Sequence, residues 1–203
     1  MKLYYSTGTC AMADHIVLEW IGRPYELQRL SREERALPEF RQINPAGAVP
    51  VLEVDGWVLT QNAAILNYLV DVHPEAGLGG DGSAKGRAEV NRWLAFVNSD
   101  VHPAFKPLFG STAYLEDAAA IEKTKTHART TLRTLFERTD AQLAGRDWLA
   151  GSRSIADPYL YVVLRWARGQ NLDLGGLENL AQFAARMEAD PAVQKVLKEE
   201  GLA

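Results

Sequence analysis

Asn44-Pro45-Ala46-Gly47-Ala48-Val49-Pro50-Val51-Leu52-Glu53-Val54-Asp55-Gly56-Trp57-Val58-Leu59-Thr60 places one Asp-Gly pair between two β-rich runs. Asp-Gly suits a two-residue hairpin turn because both central positions take positive φ. The stretch therefore predicts an antiparallel pair of strands. Upstream, Lys2-Leu3-Tyr4-Tyr5-Ser6 reads as a strand. After it, Ala13, Ile16, Val17 and Trp20 recur at helical spacing as far as Gly22. Pro24 to Leu30 alternates in polarity and predicts a second strand, and a polar helix is expected over residues 36–42. Downstream, Asn62 precedes Ala63, Ile65, Leu66, Leu69 and Val70, which makes it a candidate helix N-cap. The order is βαβαββα, with a parallel crossover between the first two strands.

Beyond residue 80 the pattern becomes helical. The junction from His73 to Ser83 is rich in Gly and Pro and reads as a linker between residues 1–76 and 83–203. After Ser83, the residues Val90, Trp93, Leu94, Val97 and Val101 make one face, and Ala95, Ser99, His102 and Lys106 the opposite one. A second helix carries Ile121, Ala128, Leu132, Leu135, Phe136 and Leu143. A third starts at Ser154-Ile155-Ala156-Asp157, a variant of the capping box, and is apolar all round. Leu177–Ala189 and Pro191–Glu200 supply two more. The fold class expected is α/β plus all-α: a thioredoxin-like βαβαββα domain followed by a helical bundle.

Composition narrows the function. The chain has 203 residues and a net charge of −4, with no long basic cluster, so nucleic acid and anionic membranes are not expected partners. The N-terminus lacks the apolar core of a signal peptide, and no apolar run is long enough to span a bilayer. Cys10 is the single cysteine, which excludes an intrachain disulfide and a CxxC redox pair and fits a reducing, cytoplasmic compartment. No histidine has a partner at metal-ligand spacing, so no metal is expected.

Cys10 follows Thr7-Gly8-Thr9 and opens the first helix. A thiol there meets the positive end of the helix dipole and unpaired N–H groups, which favour the reactive thiolate. The same position also suits a small buried apolar residue.

Taken together, several stretches resemble the bacterial beta-class glutathione transferases. They are Lys2-Leu3-Tyr4-Tyr5 with Cys10, His15-Ile16-Val17-Leu18, Asn44-Pro45…Val49-Pro50-Val51-Leu52, Val101-His102 with Pro107-Leu108-Phe109, Ile155-Ala156-Asp157…Tyr159-Leu160, and Glu200-Gly201-Leu202. Their order and spacing cover nearly the whole chain. The resemblance implies a homodimeric enzyme that conjugates glutathione, as co-substrate, to a small hydrophobic electrophile.

It also implies residue roles. Cys10 and His102 are the catalytic candidates. Thr9, Cys10, Val49, Pro50, Gln61, Asn62, Ser99 and Asp100 are the glutathione-binding candidates, with Asp100 reaching across a dimer. Tyr5, His102, Lys106 and Trp166 are the candidates for the electrophile site. Val49-Pro50 matches a cis-proline turn whose backbone pairs with the ligand's peptide. Gln61 departs from the family, which usually has an acid there to pair with the ligand's ammonium. Pro103 departs where a basic residue is common, and it predicts a kink at His102. Two other classes use the same residues: a glutathione-dependent disulfide reductase needing Cys10 for all turnover, and a non-catalytic binding protein on the same fold.

Overall fold

The computed structural model describes residues 1–203. Its first part comprises β1 (Lys2–Tyr5), α1 (Ala11–Ile21), β2 (Glu26–Arg29), α2 (Pro38–Ile43), β3 (Val51–Val54), β4 (Trp57–Thr60) and α3 (Asn62–Val72). The strands form one sheet in the order β2-β1-β3-β4. β1 and β2 are parallel, with Leu3 opposite Leu27. β3 is antiparallel to both neighbours. The hairpin closes between Val54 and Trp57, and Asp55 and Gly56 take φ of 50° and 81°. Side-chain alternation along β1 builds two faces. Leu3 and Tyr5 join the main core with Leu52, α1 and α3, whereas Tyr4 packs with Phe40 and Val51 under α2.

Three sequence expectations are corrected here. β2 spans four residues, because the chain enters the sheet only after Pro24 and Tyr25. The polar helix begins at Pro38, preceded by a 3₁₀ turn at Glu34–Ala36. Asn62 is not the N-cap. Gln61 holds that position with φ 74°, and Asn62 is the first helical residue. Asn62 instead turns its amide to the backbone, where Nδ2 donates to the Cys10 carbonyl at 2.7 Å.

The connection through residues 73–83 is docked rather than loose. It contains a 3₁₀ turn at Pro74–Ala76, then buries Leu78, whose carbonyl accepts from the Ile155 N–H at 3.2 Å. Ser83 caps α4 (Ala84–Phe96) by accepting from the Gly86 N–H at 2.9 Å. α4 runs into a π-helical segment, Val97–Val101, and then a short helical turn, His102–Ala104. Pro103 has no N–H, so the Ser99 carbonyl loses its ordinary partner. The His102 N–H reaches back five residues to the Val97 carbonyl. The expected kink is thus a widened turn, a common answer to an inserted irregularity.

α5 (Ala118–Leu143), α6 (Ala156–Gly169), α7 (Glu178–Ala189) and α8 (Pro191–Glu199) complete the bundle. Asp117 caps α5 and Asp190 caps α8, each through its side chain. The box before α6 forms. Asp157 Oδ2 accepts from the Ser154 N–H and Oγ–H at 2.8 and 2.9 Å, and Oδ1 accepts from the Leu149 N–H at 3.0 Å. α6 is buried along most of its length, as its all-round apolarity predicts. α1 packs on α3, α6 and α8, so the sheet and the bundle share one core. No helix is long and apolar enough to cross a membrane.

Candidate active site

A cleft of about 330 Å³ separates the sheet domain from the bundle. Its first wall is Cys10, the loop Asn44 to Pro50, Thr60, Gln61 and Asn62; its second is Asn98, His102, Pro103, Lys106 and Tyr159. The Val49–Pro50 peptide is cis, as the family resemblance implies. The cleft therefore gathers Cys10, Val49, Pro50, Gln61, Asn62, His102 and Lys106 from the sequence candidates.

Five candidates lie elsewhere. Tyr5 is buried between β1 and α1, its ring 5.7 Å from that of His15, and does not line the cleft. Thr9 turns its hydroxyl to the Ser6 carbonyl at 2.7 Å. Ser99 and Asp100 are exposed on the far side of the π segment. The widened turn shifts the helical register by one residue, so Asn98 faces the cleft where straight 3.6-residue periodicity predicted Ser99. Trp166 stands behind the wall, edge-on to His102 at 4.8 Å. Asn98 and Tyr159 are lining residues that sequence reasoning missed. Tyr159 was visible in a stretch that carries the family resemblance, but with no site role.

Cys10 occupies the N-cap position of α1 and donates its S–H to the Val49 carbonyl at 3.8 Å. Burial works against the thiolate that the helix terminus favours. Burial pushes the Cys10 thiol up to about 11, Asp14 adds to the rise, and the Asn62 side chain pulls against it. That displacement corresponds to about 3 kcal/mol. A helix terminus contributes only about 0.3–1 kcal/mol. Desolvation outweighs the helix terminus and favours the thiol form of Cys10.

His102 is half-buried, and burial followed by the nearby Lys106 lowers its pKa. Its imidazole is therefore neutral at neutral pH. Nδ1 lies 2.6 Å from the Tyr159 hydroxyl, which donates to Asn98 Oδ1 at 3.3 Å. Since Asn98 Oδ1 only accepts, the chain of bonds runs from the His102 Nδ1–H to Tyr159 Oη to Asn98. Nε2 is then the nitrogen with a free lone pair.

The turn before Cys10 is gripped from the bundle. The Gly8 carbonyl accepts from Trp166 Nε1–H at 2.7 Å, and the Gly8 N–H donates to Glu200 Oε2 at 2.8 Å. Glu200 Oε1 lies 3.2 Å from His15 Nδ1, and Glu199 Oε2 lies 3.0 Å from His15 Nε2. His15 thus bridges the two ends of the chain, rather than packing or capping locally as its place in the first helix suggests.

The family models for the glutathione S-transferase N-terminal and C-terminal domains match residues 1–71 and 101–191. A Xanthomonas campestris pv. campestris protein named glutathione S-transferase GST-4.5 is 57% identical over 203 residues, covering 100% of both chains. The solved glutathione S-transferase from Xylella fastidiosa is 54% identical, with a TM-score of 0.97, covering 100% of this chain and 99% of that one. A sphingomonad glutathione S-transferase complexed with glutathione is 36% identical, with a TM-score of 0.88 and 100% coverage of each chain. With both family models and full-length relatives in agreement, the chain belongs to the glutathione S-transferase family.

Proposed function

We propose that the chain binds glutathione in the cleft beside Cys10 and conjugates its sulfur to a small hydrophobic electrophile. The observation that carries this is the pairing of two kinds of wall. One presents Cys10, the cis-Val49–Pro50 backbone and the start of α3; the other presents His102, Pro103 and Lys106. The Val49 N–H has no acceptor within the protein and suits a ligand peptide lying alongside as an added strand. The first-turn N–H groups of α3 suit the γ-glutamyl carboxylate, and the exposed Gln61 offers its side-chain oxygen to the ammonium.

In the reaction, the glutathione thiol gives up its proton, for which neutral His102 Nε2 is the available base. The Cys10 S–H donates a hydrogen bond to the resulting thiolate. That sulfur forms a bond to the electrophilic carbon, and the leaving group departs into solvent. Because Cys10 is held as a thiol, it acts first as a donor and only secondarily forms mixed disulfides. Residues 1–76 act as the glutathione-binding unit and residues 83–203 as the electrophile unit. We assign the chain to a cytoplasmic homodimer serving detoxification, with exposed Asp100 placed to meet a second subunit.

The test is calorimetric titration of glutathione together with conjugation of a halodinitrobenzene. Binding, and turnover that Cys10→Ala slows without abolishing, supports the reading. Loss of all turnover in Cys10→Ala points to the disulfide-reductase class. Absence of glutathione binding in the native chain overturns the reading.

A further inference from the structure

Asp14 lies one turn beyond Cys10 on α1, so the two side chains share a helix face. It is completely buried, and neither carboxylate oxygen has a hydrogen-bond partner. Neighbouring Asn62 also has a buried, unpaired Oδ1, although its Nδ2 holds the Cys10 carbonyl. No cation faces the carboxyl. The titratable groups around it are Cys10 on its own helix and Tyr159 from α6; α3 contributes Asn62, and the α8 end carries Glu199 and Glu200, which are engaged with His15. Cys10, Asn62 and Tyr159 line the cleft, and Asp14 backs them. An unpaired buried anion is costly, and burial holds the Asp14 carboxyl well above the usual range.

We propose that Asp14 is a positioning residue for the active-site cysteine: a buried acid that competes with Cys10 for the single negative charge this pocket tolerates, and so keeps Cys10 a hydrogen-bonding thiol rather than a nucleophile. In water the carboxyl is the stronger acid by several units, and in the pocket its charge is among the causes that raise the thiol, so it ionises first. Its charge then opposes loss of the thiol proton, as in any coupled pair. The proposal deepens the reading of Cys10 as a donor to the glutathione thiolate and rests on it.

The test needs no glutathione, so its outcome is separate from that of the glutathione titration. The rate of Cys10 alkylation by iodoacetamide is followed against pH in the native chain, Asp14→Asn and Asp14→Ala. Native Cys10 should alkylate with a midpoint above that of an ordinary thiol. Either neutral variant should shift the midpoint down by about one unit, reacting about tenfold faster near pH 8. A purely structural role would lower the melting temperature and leave the midpoint in place. An unmoved midpoint in a folded variant overturns the proposal. So does a native midpoint at or below that of free glutathione, a measurement that needs no variant to fold.

Discussion

Replacing Glu200 with alanine removes the contact through which the last turn of the chain holds the cysteine turn. The Glu200 side chain is fully buried, and each oxygen has one partner: the Gly8 N–H at 2.8 Å and His15 Nδ1 at 3.2 Å. The alanine leaves the Gly8 N–H without an acceptor, worth about 1–3 kcal/mol when buried. Gly8 is only partly buried, so about 1 kcal/mol applies. The change also takes one of two carboxylates from a fully buried imidazole. Losing a buried hydrogen-bond partner that is a charged group costs about 1.5–3 kcal/mol. Glu199 still faces Nε2, so the lower bound is the better guide. The expected loss is about 2–3 kcal/mol for Glu200→Ala. For Glu200→Gln it is about 1–2 kcal/mol, because the amide oxygen still accepts one bond. Urea denaturation followed by tryptophan fluorescence measures both. A loss below about 1 kcal/mol for Glu200→Ala, or equal losses for the two variants, would refute the clamp.

Asp157→Ala should cost about 3 kcal/mol, more than an ordinary cap, because the Leu149 and Ser154 N–H groups both lose their acceptor in the interior; an unmoved urea midpoint refutes this. Burial also pushes the Asp157 carboxyl up to about 6 against its bonds from Leu149 and Ser154. A raised carboxyl stabilises the fold below its unfolded pKa of about 3.9 and loses that contribution as pH rises through about 6, so stability should drop by about 3 kcal/mol across this range and Asp157→Asn should flatten the slope. Gln61→Glu should tighten glutathione binding about fivefold in calorimetry, since a charged acceptor adds about 1 kcal/mol; no gain there, together with no loss in Asp100→Asn, refutes the assumed ligand pose. Light scattering at micromolar concentration should give a dimer mass, and a monomer would contradict the proposed assembly.

What the sequence disclosed were features with a local cause. Asp55-Gly56 dictates positive φ at two neighbours, and the hairpin follows. Ser154 and Asp157 stand three apart before an apolar run, and the box forms. The cleft's first wall was legible through the family resemblance. The features that escaped depend on distance or on burial. Tyr159 and His102 are 57 residues apart, and nothing local in the apolar run around Tyr159 marks it as a partner for an imidazole. Pro103 signalled a disturbance, but whether a helix breaks or widens depends on which carbonyl the His102 N–H can still reach. For Cys10 two effects oppose each other, and only one of them is local. The helix terminus is visible in the sequence, whereas the larger desolvation effect comes from tertiary packing around Cys10.

The cysteine turn shows why long-range contacts decide the chemistry here. Ser6 and Thr9 close the turn locally: the Thr9 N–H and hydroxyl both donate to the Ser6 carbonyl. That leaves the two peptide groups of Gly8 facing outward, and neither can be satisfied within the sheet domain. Trp166 takes the carbonyl and Glu200 the N–H, one from α6 and one from the chain's end. Gly8 takes φ 69°, so a side chain there would meet the strain of left-handed backbone although there is room for it. The same Trp166 ring lies edge-on to His102. One tryptophan therefore fixes the turn that presents the thiol and backs the imidazole on the opposite wall. The turn that carries one catalytic candidate and the ring of the other thus share one bundle side chain.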